Sequence, residues 1–135
     1  ERKRQKQVFD ASERKGVFGY VTWTVGAEAT NAITVSGQCF DESGNEMAEA
    51  CAFDWYWAND AAGLTPTTVA HDGGTAAGTD GAIIEQVANL SGLAISEADG
   101  DIDIVGTDAG AFTTYLVAVN PDGSLSVSAV CTWAA

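Results

Sequence analysis

The spacing of apolar residues changes character at Gly16. Beyond it, VFGYVTWTVG sets Phe18, Tyr20 and Thr22 against Val21, Trp23 and Val25 in strict alternation, the period of a half-buried strand. AITVSGQCF predicts a second strand, and DESGN a turn after it. CAFDWYW puts Phe53, Trp55 and Trp57 on one face and Asp54 and Tyr56 on the other. From Asn59 to Gly81 the chain is mostly Gly, Ala, Thr and Asp, which predicts a long loop region with a short strand near Thr68. AIIEQV, GLAIS and DIDIV follow as strands, the last two separated by the turn EADG. AFTTYLVAV and SLSVSAVCTW then flank NPDG, a hairpin with Pro and Gly at turn positions.

About seven or eight short strands with turn signals between them, and no long helical pattern, predict an all-β fold: an immunoglobulin-like antiparallel β-sandwich over residues 17–135. Trp23, Phe53, Trp55, Trp57, Ile83, Ile104, Leu116 and Val130 are the expected core. Residues 1–16 read as a separate basic N-terminal arm. They combine helix formers, two apolar residues (Val8, Phe9) and a Gly at the point where a helix would stop, so a short helix and an extended arm are both open.

Charge sharpens that boundary. All six Lys and Arg residues of the chain lie in the first fifteen positions: Arg2, Lys3, Arg4, Lys6, Arg14 and Lys15. Three of the 19 acids (Glu1, Asp10, Glu13) share that strip, which leaves 16 acids and no Lys or Arg in the rest of the chain. Such a body repels nucleic acid and anionic membrane. At 46% hydrophobic residues with four Trp, the chain is far from the composition of a disordered segment. No apolar run approaches the roughly 18 residues of a membrane span, and no signal-peptide pattern is visible.

Reactive constellations are sparse. Cys39, Cys51 and Cys131 are odd in number and without C-x-x-C spacing, which points to buried free thiols rather than a disulfide framework or a zinc site. His71 is the single His. It stands in the Gly-rich AHDGG stretch without a G-x-S-x-G partner, so in a purely structural protein its replacement by Ala is expected to leave assembly and function near wild type. The parts of an enzyme active site are missing, and no cofactor or metal is implied. Glu97, Asp99, Asp101 and Asp103 alternate in SEADGDIDIVGTD and offer oxygens for calcium. Ile104 stands where an EF-hand loop needs Gly, however, so a solvated strand face with Ile102 and Ile104 turned inward is the favoured reading. The aromatics of CAFDWYW, a conceivable sugar platform, are expected in the core.

The basic strip fits nucleic acid poorly, with Phe9 alone to stack on a base and three acids diluting its charge. An acidic body carrying a basic arm fits assembly better, because each copy supplies both halves of a head-to-tail contact. Arg2, Lys3, Arg4, Lys6, Arg14 and Lys15 are the expected ionic contacts of the arm, with Val8 and Phe9 as its apolar anchor.

From Tyr20 to Trp133 the chain resembles a group of small virion structural proteins of tailed bacteriophages. The resemblance is carried by VTWTVGAEATNAITVSGQCFDESGNEMA and by GTDGAIIEQVANLSGLAISEADGDIDIVGTDAGAFTTYLVAVNPDGSLSVSAVCTWA. It implies a non-enzymatic particle component with an immunoglobulin-like domain, foremost a capsid decoration (cement) protein. Its implied partners are the major capsid protein or another virion protein and further copies of itself. Its implied place is the outer capsid surface after assembly in the host bacterial cytoplasm, with a tail position as the variant. The cysteines and the basic strip have no counterpart in the shared pattern. AITVSGQCFDESGNEMAEACAFDWYW also resembles bacterial immunoglobulin-like repeats of surface adhesins, which implies a module binding a sugar or a protein.

Overall fold

The computed structural model describes residues 15–134. Ten strands occur in them and no helix: β1 (Phe18–Val25), β2 (Ala32–Asp41), β3 (Ala52–Ala58), β4 (Thr75–Ala77), β5 (Ala82–Val87), β6 (Ser91–Ile95), β7 (Asp101–Thr107), β8 (Phe112–Val119), β9 (Leu125–Val127) and β10 (Cys131–Trp133). They form two antiparallel sheets, ordered β1-β2-β7-β4 and β10-β8-β3-β6-β5, with β9 also on β8. With strands lettered A to G in chain order, the constant-type immunoglobulin sandwich has sheets ABED and GFC. Here β1, β2, β7 and β4 take the A, B, E and D places, and β3 and β8 take C and F. The last strand is broken into β9 and β10, both paired with β8. The β5–β6 hairpin is an addition, inserted between the D and E strands and laid on the free edge of β3.

Alternation along β3 drives Phe53, Trp55 and Trp57 into the space between the sheets. Trp55, Trp57 and Trp133 are fully enclosed. Each such ring removes roughly 150–250 Å² from water, about 4–6 kcal/mol at ~25 cal/mol per Å². Trp57 donates its indole N–H to Thr75 Oγ1 at 3.0 Å, whereas the indole N–H groups of Trp55 and Trp133 have no protein acceptor. An unmade hydrogen bond costs about 1–3 kcal/mol. Burial therefore wins at both rings. Ile102 and Ile104 of β7 close the opposite wall, as their alternation with Asp101 and Asp103 predicts.

The structure departs from the sequence expectations at three places. A bulge at Gly19 shifts the β1–β2 register between Phe18 and Tyr20, so Phe18 joins Val21, Trp23 and Val25 on the inner side. The short strand in the 59–81 region is Thr75–Ala77, pairing with β7, and not a segment near Thr68. Val130 is exposed, because SLSVSAVCTW is not one strand. Ser128 interrupts it: its N–H donates to Leu116 O at 2.8 Å and its hydroxyl accepts the Leu116 N–H at 2.9 Å. Cys131 and Trp133 then take the inward positions. Trp23 and Ile83 are half-buried at the margins of the core, while Phe53, Trp55, Trp57, Ile104 and Leu116 are buried.

Candidate functional site

The arm residues Arg2, Lys3, Arg4, Lys6, Val8, Phe9 and Arg14 lie outside the described residues. Lys15 is exposed, in the turn that leads into β1. The next residue is anchored. Gly16 donates its N–H to Asp41 Oδ2 at 2.9 Å, and Asp41 Oδ1 accepts the N–H groups of Ser43 and Asn45, each at 2.9 Å. These bonds, that from Gly16 foremost, hold the Asp41 carboxyl below the usual carboxylate range. The sequence shows Asp41 as the first residue of a turn. Its reach back to Gly16 has no signal at that level.

His71 is not a loop residue in contact with water. It is 2% exposed, its ring packed among Trp57, Phe112 and Trp133 with centroids 4.4, 4.9 and 4.5 Å away. One nitrogen, Nε2, meets Thr114 Oγ1 at 3.0 Å, and Nδ1 has no partner. Burial pushes its pKa down to about 4, against smaller opposing effects of Asp108 and Asp72, so the ring is neutral at pH 7. Cys39, Cys51 and Cys131 are buried free thiols. Burial raises all three, Cys39 to about 12 and Cys131 to about 11, which suppresses the nucleophilic thiolate. None of these four residues presents a reactive group to solvent.

Of the four acids in SEADGDIDI, Asp101 and Asp103 share the outer face of β7, paired with Gln38 and Ser36 of β2. Glu97 and Asp99 belong to the preceding turn, where Asp99 Oδ1 accepts the Asp101 N–H at 3.2 Å. Asp80 joins them, donating its N–H to Asp103 Oδ2 at 3.4 Å. Thr22, Thr24, Ser36, Gln38, Asp80, Asp101 and Asp103 line a shallow polar concavity of about 310 Å³. Loss of hydration, followed by the charges of Asp99, Asp80 and Glu46, raises the Asp101 carboxyl. Among the described residues, no three His, Cys, Asp or Glu side chains are grouped so as to hold a metal ion. Beside the concavity, Tyr20 stacks on Phe40 with centroids 5.2 Å apart and planes 5° from parallel.

The opposite outer face carries a feature that the strand pattern does not bring out. Ile84 and Val87 of β5 are 54% and 52% exposed, and Ile95 of β6 is 36% exposed. Their neighbour Ile83 packs on the core. Consecutive Ile residues in a strand point to opposite sides, so AIIEQV itself requires one of the pair to face outward.

The chain matches no family model, no curated protein and no solved structure in comparisons with each.

Proposed function

We propose that this protein is a non-enzymatic structural component of a tailed-bacteriophage particle, foremost a capsid decoration (cement) protein. In this reading the sandwich sits on the outer capsid surface, and the basic arm ties it to the capsid protein or to a sister copy. The observation that carries the reading is the separation of charge: every Lys and Arg within residues 1–15, and 16 acids with no such cation in the remainder. That separation is built onto a sandwich that grips the root of the arm through Asp41. Exposed ion pairs contribute only about 0–1 kcal/mol each, so the apolar pair Val8 and Phe9 has to share the attachment. Purified phage particles from the source of the gene, probed with an antibody to the sandwich, test the assignment. Stoichiometric surface labelling is expected; absence of the protein from the particles overturns it.

A second reading, a surface module that binds a sugar, draws on the half-exposed Tyr20–Phe40 stack beside the Thr22 hydroxyl, the Gln38 amide and the Asp101 carboxylate. Aromatic faces with flanking polar groups suit sugar rings. Glycan-array binding abolished by Tyr20→Ala favours this reading, and an array without signal removes it.

A further inference from the structure

We infer that the outer face of the β5–β6 hairpin is the seat for residues 1–14 of a second copy of this chain. The inference rests on the reading of that segment as an assembly arm, and it adds where the arm binds. The hairpin lies outside the seven-strand plan and leaves β5 as an open sheet edge. Register fixes which side chains point outward. Ile83 pairs with the buried Ala94, so the next pair, Ile84 with Leu93, faces away from the core. Ala82 with Ile95, and Val87 with Ser91 beyond the bulge, fall on the same outer side. Natural edge strands are blunted by charge, most often Lys. Here the only charged residue of β5 is Glu85. An open edge with apolar side chains is a template for an added strand.

Charge selects the occupant. On this face exposed Asp54 of β3 pairs with Leu93, Glu97 follows β6, and Glu85, paired with Gly92 on the other side of β5, is exposed at the open edge. A ligand for this surface therefore combines apolar side chains with positive charge. No Lys or Arg follows Lys15, and residues 1–14 hold five of the six cations around Val8 and Phe9. The segment matches the surface in both respects.

Geometry favours a neighbour's segment over the chain's own. β1 packs against β9 at one side of the sandwich, whereas β4 and β5 meet at the other. The path from Gly16 to β5 crosses ~10 Å between sheets and about four strand spacings of ~4.8 Å, roughly 29 Å in all. Eight residues, from Val8 to Gly16, span at most about 26–29 Å when fully extended. The chain's own arm would have to be fully stretched to seat Val8 there, a constraint that does not bind a second copy free to approach the face.

Sedimentation velocity of the full chain over a wide concentration range tests the inference. Wild type is expected to self-associate reversibly, more weakly in 0.5 M salt. Phe9→Ala and the pair Ile84→Thr with Val87→Thr should each raise the dissociation constant at least tenfold. Combining them should add little, because both remove one contact. Val69→Thr, an exposed apolar residue outside the hairpin, should match wild type. A monomer at every concentration overturns the inference, and a monomer that still decorates particles does so while leaving the particle assignment standing. Association weakened by Phe9→Ala but not by the hairpin substitutions also overturns it, placing the seat elsewhere.

Discussion

Asp41 Oδ2 accepts the N–H of Gly16 across 25 residues of chain, so the carboxylate that closes the turn after β2 also sets where the basic segment leaves the sandwich. The folded carboxyl lies below its unfolded range, chiefly through the Gly16 bond and then that of Asn45. Its contribution is therefore fully present above the unfolded pKa of about 3.9 and lost as pH falls through the folded value. Thermal unfolding of Asp41→Asn against wild type is expected to show a deficit at pH 6–7 that closes near pH 2. A deficit independent of pH contradicts this account.

His71 adds a second pH dependence of the same sign, at higher pH. Its pKa is about 4 in the fold, against about 6.5 in an unfolded chain. Between those values the unfolded state binds more protons, so stability rises with pH through the window and is lost as pH falls through it, by about 3 kcal/mol at most. His71→Phe keeps a ring among Trp57, Phe112 and Trp133 and should flatten the pH 4–6.5 slope in denaturant melts. His71→Ala leaves a cavity there and should cost about 2–4 kcal/mol. That packing role among three rings is one its Gly-rich sequence context does not show.

Gly92 marks where β5 presses closest on β6. A Cβ there would lie 2.0 Å from Ile84 O and 2.9 Å from Glu85 Cα, both backbone atoms that cannot rotate away. Gly92→Ala should displace the hairpin at a cost of about 1–3 kcal/mol. Hydrogen exchange should show the loss of protection concentrated in residues 82–95, with β2 and β7 unaffected.

How far the sequence can be read follows from periodicity. DIDIV and CAFDWYW alternate cleanly, and their faces are assigned correctly from spacing alone. Thr75–Ala77 is three small residues without a period, and it is a strand only because β7 offers an edge. His71 lies in turn-forming residues, and its burial arises from rings contributed by β3, β8 and β10, distant in sequence. The bulge at Gly19 and the break at Ser128 each reset a period that looked continuous. The separation of charge at Gly16 is wholly legible. The acidic, apolar hairpin face needs the β5–β6 register before Ile84, Val87 and Ile95 can be placed together.

The acidic face of β7 supplies a prediction about ions. Asp101 and Asp103 share that face while Glu97 and Asp99 stay in the turn, so the four carboxylates do not converge. Millimolar calcium should raise Tm no more than sodium chloride of equal ionic strength, which screens the same repulsion. A saturable shift specific to calcium contradicts this, because a ligand of the native state alone must stabilise it.

The role proposed for the basic opening segment is to attach the acidic sandwich to a particle. Its most direct measurement is cosedimentation of full-length protein and of a variant lacking residues 1–14 with undecorated capsids, alongside circular dichroism of both. The variant keeps Gly16 and its bond to Asp41, so its β spectrum should be unchanged. Its capsid binding should weaken at least tenfold, and high salt should move the full-length protein part of the way toward it. A folded variant that binds capsids as tightly as the full chain would contradict the account.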